Sequence, residues 1–171
     1  DNKKPPIDFT KWSLVRIFSN GSFEQGGRFY HGWWQQVPGE LRRYITLDGK
    51  KTCEYDYSQL NPHMVYFLCG KELGDEDAYN RVFDGEHRPL VKEAFNAMLQ
   101  ASSRLSQKPT DIDLSEVDID WPTLRDAILK AHRAIEDMFF QGHGNHLQYI
   151  DSCIAEQVML QFNRMDYPVL P

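Results

Sequence analysis

The sequence is short of cysteine, of long apolar runs and of positive charge. Its three cysteines, Cys53, Cys69 and Cys153, stand far apart. An odd, scattered set argues against a disulfide framework and against a zinc knuckle. The expectation is apolar thiols in a reducing cytoplasm. No apolar run approaches the ~20 residues that span a bilayer. No secretory apolar segment stands near the start, so neither a membrane partner nor export is expected. Lysine and arginine number 19 against 25 acids, a formal net charge of −6. The basic footprint of most nucleic-acid binders is therefore missing from the chain as a whole. The deficit is uneven. Asp111, Asp113, Glu116, Asp118 and Asp120 crowd residues 110–120, and the remainder is closer to neutral, with room for a local basic surface. That run lacks the glycine and closing glutamate of a calcium-binding EF-hand loop, and reads as a solvated connector.

Hydrophobic residues make up 41% and aromatics 13% of the 171 residues, enough to fill the core of one domain or of one lobe of a larger enzyme. No internal repeat is visible. Residues 7–35 are rich in aromatics and glycine, with turn signals at Asn20-Gly21 and Gly26-Gly27. Asp48-Gly49 separates two β-rich runs, 44–47 and 52–57, and predicts a hairpin. Residues 60–69 read as a buried helix opened by Pro62 and stopped by Gly70. A brief helix is expected over 76–83. Residues 89–101 carry apolar side chains at three- and four-residue spacing and predict a strong helix. Helices are also expected from about 122 to 140 and 145 to 165, and the closing Val169-Leu170 reads as a strand. Strands first, then mostly helices, then a strand give an α+β class.

The most specific stretch is Glu54-Tyr55-Asp56-Tyr57-Ser58-Gln59-Leu60. It reads as a strand ending in an aspartate, with a helix following at once. The Asp56 carboxylate and the Tyr57 carbonyl make a pair of hard oxygen donors suited to Mg²⁺. Read more plainly, Asp56 caps the next helix. Arg88 and Lys92 lie four apart, on one face of a helix, where two cations suit a phosphate chain. The plainer reading is a solvated face. Trp12, Trp33 and Trp34 offer stacking platforms or core packing. His143 and His146 have no third close ligand and make a poor metal site.

Asp56 to Leu60 resembles motif A of family A DNA polymerases, whose usual form is Asp-Tyr-Ser-Gln-Ile-Glu-Leu-Arg. Four positions are identical and Leu60 stands for isoleucine. Asn61 replaces the glutamate that helps exclude ribonucleotides, and His63 replaces the arginine. The flanks follow the family order: Gly27-Arg28, then Gln35-Gln36-Val37-Pro38, then Arg42-Arg43, upstream of motif A. Downstream, Arg88 and Lys92 match motif B, with Phe95 and Asn96 near the family's base-stacking aromatic; its later Tyr-Gly pair is absent. Gln148 resembles the glutamine opening the helix before motif C. The resemblance runs in order over roughly residues 20–171, with a shortened fingers segment, in the manner of compact phage and prophage proteins.

That resemblance implies a palm-like small antiparallel sheet, from 20–70 and 145–171, and a fingers-like helical segment over 71–144. It implies template-directed nucleotidyl transfer with two Mg²⁺ ions, a nucleoside triphosphate and primer-template nucleic acid as partners. Asp56 and the Tyr57 carbonyl would bind metal. Lys92 would neutralise phosphates and protonate the leaving pyrophosphate, and Arg88 would hold the outer phosphates. Tyr57, Phe95 and Asn96 would complete the substrate site, while Arg28 and Gln148 would touch nucleic acid. The family's second metal-binding aspartate falls just beyond Pro171, so the 171 residues alone are expected to be inactive. The alternatives are a non-catalytic nucleotide- or nucleic-acid-binding derivative and a protein-interaction module.

Overall fold

The computed structural model describes residues 6–171. The fold is mixed α+β, with two small antiparallel sheets and several helices. It divides into two compact units, residues 1–57 with 148–171, and residues 58–147.

In the first unit, strands β1 (Val15–Phe18) and β2 (Gly26–Tyr30) pair antiparallel, with Arg16 opposite Phe29 and Ile17 opposite Arg28. The register shifts after Ile17, so Phe18 faces Gly26 and Gly27 is the extra residue of a bulge. Gly27 has φ +79, and a Cβ there would lie 2.8 Å from the Phe18 ring and 3.1 Å from both Arg16 Nη2 and Ser152 Oγ. Only glycine fits that approach. A short helix α1 (Gly39–Arg42) leads to a minimal hairpin of β3 (Thr46–Leu47) and β4 (Lys50–Lys51), turned by Asp48-Gly49.

The expected strand over 52–57 does not form. The β3–β4 ladder holds two residue pairs, and residues 53–57 are exposed chain outside it. The expected closing strand does not form either. Val169 and Leu170 are half-buried in irregular chain, whose Pro168 and Pro171 have no N–H to give a ladder. Pro171 is instead fixed by its carbonyl, which accepts from Trp34 Nε1 at 3.2 Å.

The second unit is helical. Helix α2 spans Leu60–Leu68, with Pro62 buried in its first turn. A 3-10 turn at Ala78–Arg81 is capped by Asp77, and a second occupies Phe83–Gly85. Helix α3 (Arg88–Gln100) carries Pro89 in its first turn and buries Val91, Ala94, Phe95, Met98 and Leu99. Helix α4 (Trp121–Ala131) starts at Asp120, whose side chain accepts from the Thr123 amide at 2.8 Å. The helix expected to reach residue 140 ends at His132, and Arg133–Met138 tighten into 3-10 geometry. No glycine or proline marks that break, and the buried His132 ring is fixed there against Phe95 and Tyr66. Helix α5 (Gly144–Arg164) crosses the division between the units, which falls after Leu147.

Around Phe95 the rings of Tyr79, His132 and Phe139 meet edge to face, with centroids 5.7, 5.0 and 5.1 Å away. No helix of the described residues is long and apolar enough to cross a membrane.

Candidate functional site

Helix α3 orders the best-defined constellation. Arg88, Lys92 and Asn96 fall at four-residue steps along one side of the helix, flanking its buried face, with Lys92 exposed and Arg88 and Asn96 half-buried. Arg88 Nε and Nη2 lie 3.1 and 2.7 Å from the Asp77 Oδ2 atom, and its guanidinium covers the Tyr79 ring at 5.3 Å. Asp77 divides its two oxygens. Oδ2 takes Arg88, while Oδ1 accepts from the Tyr79 and Asn80 amides at 2.9 and 3.2 Å. Burial pushes the Asp77 carboxyl up, but the Arg88 and amide hydrogen bonds outweigh it, and the carboxyl sits below the usual range. The same pair raises Arg88. Burial pushes the Tyr79 hydroxyl up to about 12, against the pull of Arg88.

Lys92 is exposed, and no described residue pairs with its ammonium. Its carbonyl accepts from Asn96 Nδ2 at 2.9 Å, and Asn96 Oδ1 accepts from Asn61 Nδ2 at 2.7 Å. The position where the family motif has a glutamate therefore ties α2 to α3. Phe95, expected in the substrate site, has no exposed surface. It stacks on core rings and offers no face to a base. Its one-residue offset from Asn96 turns it by about 100° around the helix, from the polar face into the core.

Asp56 and Tyr57 lie in an exposed irregular segment of the first unit, and no described residue bonds to the Asp56 carboxylate. One free carboxylate beside one carbonyl fits a weak Mg²⁺ site in which waters and substrate phosphates supply the remaining oxygens. Among the described residues no three His, Cys, Asp or Glu side chains gather where they could hold a metal ion, the neighbourhood of His143 and His146 included.

Arg28, on β2, pairs with Asp151 of α5 at 3.2 Å and stays half-exposed. Gln148 lies one turn before Asp151 and shares its helix face. Sequence reasoning missed the larger anchor beside them, Arg16. Its Nε donates to the Gly27 carbonyl at 2.8 Å, Nη2 to Ser152 Oγ at 2.7 Å, and Nη1 pairs with Glu156 at 3.0 Å. Phe18 and Phe29 flank its guanidinium at 5.1 and 5.2 Å. An arginine inside the apolar run Val-Arg-Ile-Phe is the available signal. Asp77 and Asn61 were also missed. The signal for Asp77 is its place just before a 3-10 turn, where a carboxylate caps amides.

Charge separates along the same division. Residues 1–57 and 148–171 carry ten cations and ten acids, whereas 58–147 carry nine and fifteen. The whole net charge of −6 thus belongs to the second unit, and the first is neutral.

No family model, curated protein or solved structure matches this chain.

Proposed function

We propose that this chain is part of a nucleotidyl-transferring core of the family A polymerase type, with α3 as its triphosphate-binding helix. The observation that carries this is Lys92: a solvent-facing ammonium with no partner among the described residues, one turn after Arg88. An unpaired ammonium is open to an anion brought from outside, against the repulsion of the six surplus acids of its unit.

In this reading Lys92 neutralises phosphate oxygens and Arg88 adds a forked donor. Asn96 holds the helix face through Asn61. By the motif A resemblance Asp56 and the Tyr57 carbonyl of the first unit would hold a Mg²⁺ ion, which would supply charge neutralisation. The small antiparallel sheets would belong to a palm-like part, with 20–70 and 145–171, and residues 71–144 to a fingers-like segment. Arg28 and Gln148 face primer-template nucleic acid.

A second reading is favoured by the Arg88–Asp77 pair, which already engages one of the two motif B cations. It is a derivative that binds nucleotide without transferring it.

The test is binding of a fluorescent nucleoside triphosphate with and without Mg²⁺. Lys92→Ala is expected to weaken binding at least tenfold, about 1.4 kcal/mol. Asp56→Asn is expected to weaken binding of Mg²⁺ itself, read by titration with the metal alone. Equal binding by wild type and Lys92→Ala overturns the assignment of α3. Primer extension by a chain that supplies the second metal-binding aspartate separates the two readings.

A further inference from the structure

We infer that Asp77 is a resident counter-ion that an incoming triphosphate must displace from Arg88, so that Asp77 sets the affinity of α3 for anions. The inference rests on the triphosphate reading of α3 and adds a residue to it.

Three features support it. Asp77 Oδ2 occupies Nε and Nη2 of Arg88, one edge of the guanidinium fork that a phosphate would use, at distances typical of charge-assisted hydrogen bonds. The pair is reachable from solvent, with the Arg88 side chain 39% and the Asp77 side chain 22% exposed. An external anion can therefore exchange with the carboxylate, and until it does the negative charge of Asp77 repels it. Third, the guanidinium is supported from below. The Tyr79 ring lies under it, a contact that does not depend on the Asp77 charge. Asp77 also keeps a separate structural duty on Oδ1, which caps the Ala78–Arg81 turn. The two duties use different oxygens, so one can be removed without the other.

Asp77→Asn makes that separation, because its amide oxygen still accepts from the Tyr79 and Asn80 amides while the charge is gone. Asp77→Ser is the second variant, retaining a capping oxygen in case the asparagine amide disturbs Arg88. The readout is the dissociation constant of a fluorescent nucleoside triphosphate with Mg²⁺, with thermal melting to show that each variant is folded. Both variants should bind about fivefold tighter than wild type, the coupling of a half-exposed ion pair. Asp77→Asn/Arg88→Ala should lose the gain.

Unchanged or weaker binding by folded Asp77→Asn and Asp77→Ser overturns the inference. If wild type still binds and Lys92→Ala does not, the triphosphate reading survives that outcome. Absence of binding by wild type and every variant removes both. A gain that persists in Asp77→Asn/Arg88→Ala also overturns the inference, since the charge would then act without Arg88.

Discussion

His132 has no exposed surface, and its ring packs against Tyr66 and Phe95. Arg81 Nη1 donates to the Tyr66 hydroxyl at 3.3 Å, and that hydroxyl lies 3.1 Å from His132 Nδ1. A hydroxyl that accepts from arginine can donate onward to Nδ1, an arrangement that fits the tautomer with hydrogen on Nε2, an atom with no hydrogen-bond partner among the described residues. Burial lowers the His132 pKa from 6.5 to about 4, the Arg81 charge acts in the same sense, and a backbone contact with Ala78 opposes it. The sign follows directly. Above pH 6.5 both folded and unfolded chains hold a neutral ring, and the stability is complete. Below it the unfolded chain takes up a proton that the folded chain refuses, and stability falls until the folded pKa is reached. The loss is about 1.4 kcal/mol per pH unit, roughly 3 kcal/mol across the window. Urea unfolding between about pH 7 and pH 5 should show this slope, above the range where carboxylates titrate. His132→Gln should flatten it. A slope that survives the substitution would assign the proton to another group.

The β1–β2 hairpin and α5 are joined through Arg16 and Gly27, and the contact is tight enough to test by one methyl group. Gly27→Ala adds a Cβ against Phe18, Arg16 and Ser152 in a backbone region that L residues disfavour. Gly21→Ala meets the same kind of backbone penalty, at φ +66, with nothing within 4 Å of the added carbon. Gly27→Ala is therefore expected to lose about 2 kcal/mol more stability than Gly21→Ala. Similar melting temperatures for the two variants would mean that the hairpin does not seat on α5 as described. At this scale the sequence was uneven in what it disclosed. Helices α2, α3 and α5 were legible because apolar spacing, Pro62 and Pro89 all agree with the packing. The Asp48-Gly49 turn was also legible. The 52–57 and 169–170 strands were misread, since β-rich composition says nothing about whether a neighbouring strand is present. The end of α4 was hidden because tertiary packing of His132, not a breaker residue, sets it.

For the molecule as a whole, the motif residues divide between two units, and the sequence could place them in order but not in space. Arg88, Lys92 and Asn96 emerged on one helix face as their spacing implied. Phe95 went to the core, where the same spacing argument, applied strictly, would have put it. Asp77 and Asn61 were invisible because their roles depend on contacts with α3 from segments distant in sequence. The net charge misled in another way. An average of −6 conceals a neutral first unit and an acidic second one, and Lys92 stands as an open cation on the acidic unit. The most direct test of a triphosphate site on α3 is photo-labelling of the intact chain with a nucleoside triphosphate bearing an aryl azide on its terminal phosphate. Peptide mapping should find the label between Arg88 and Asn96, competed by unlabelled triphosphate and lost in Lys92→Ala. Competed labelling that maps elsewhere and is indifferent to Lys92 would contradict the site.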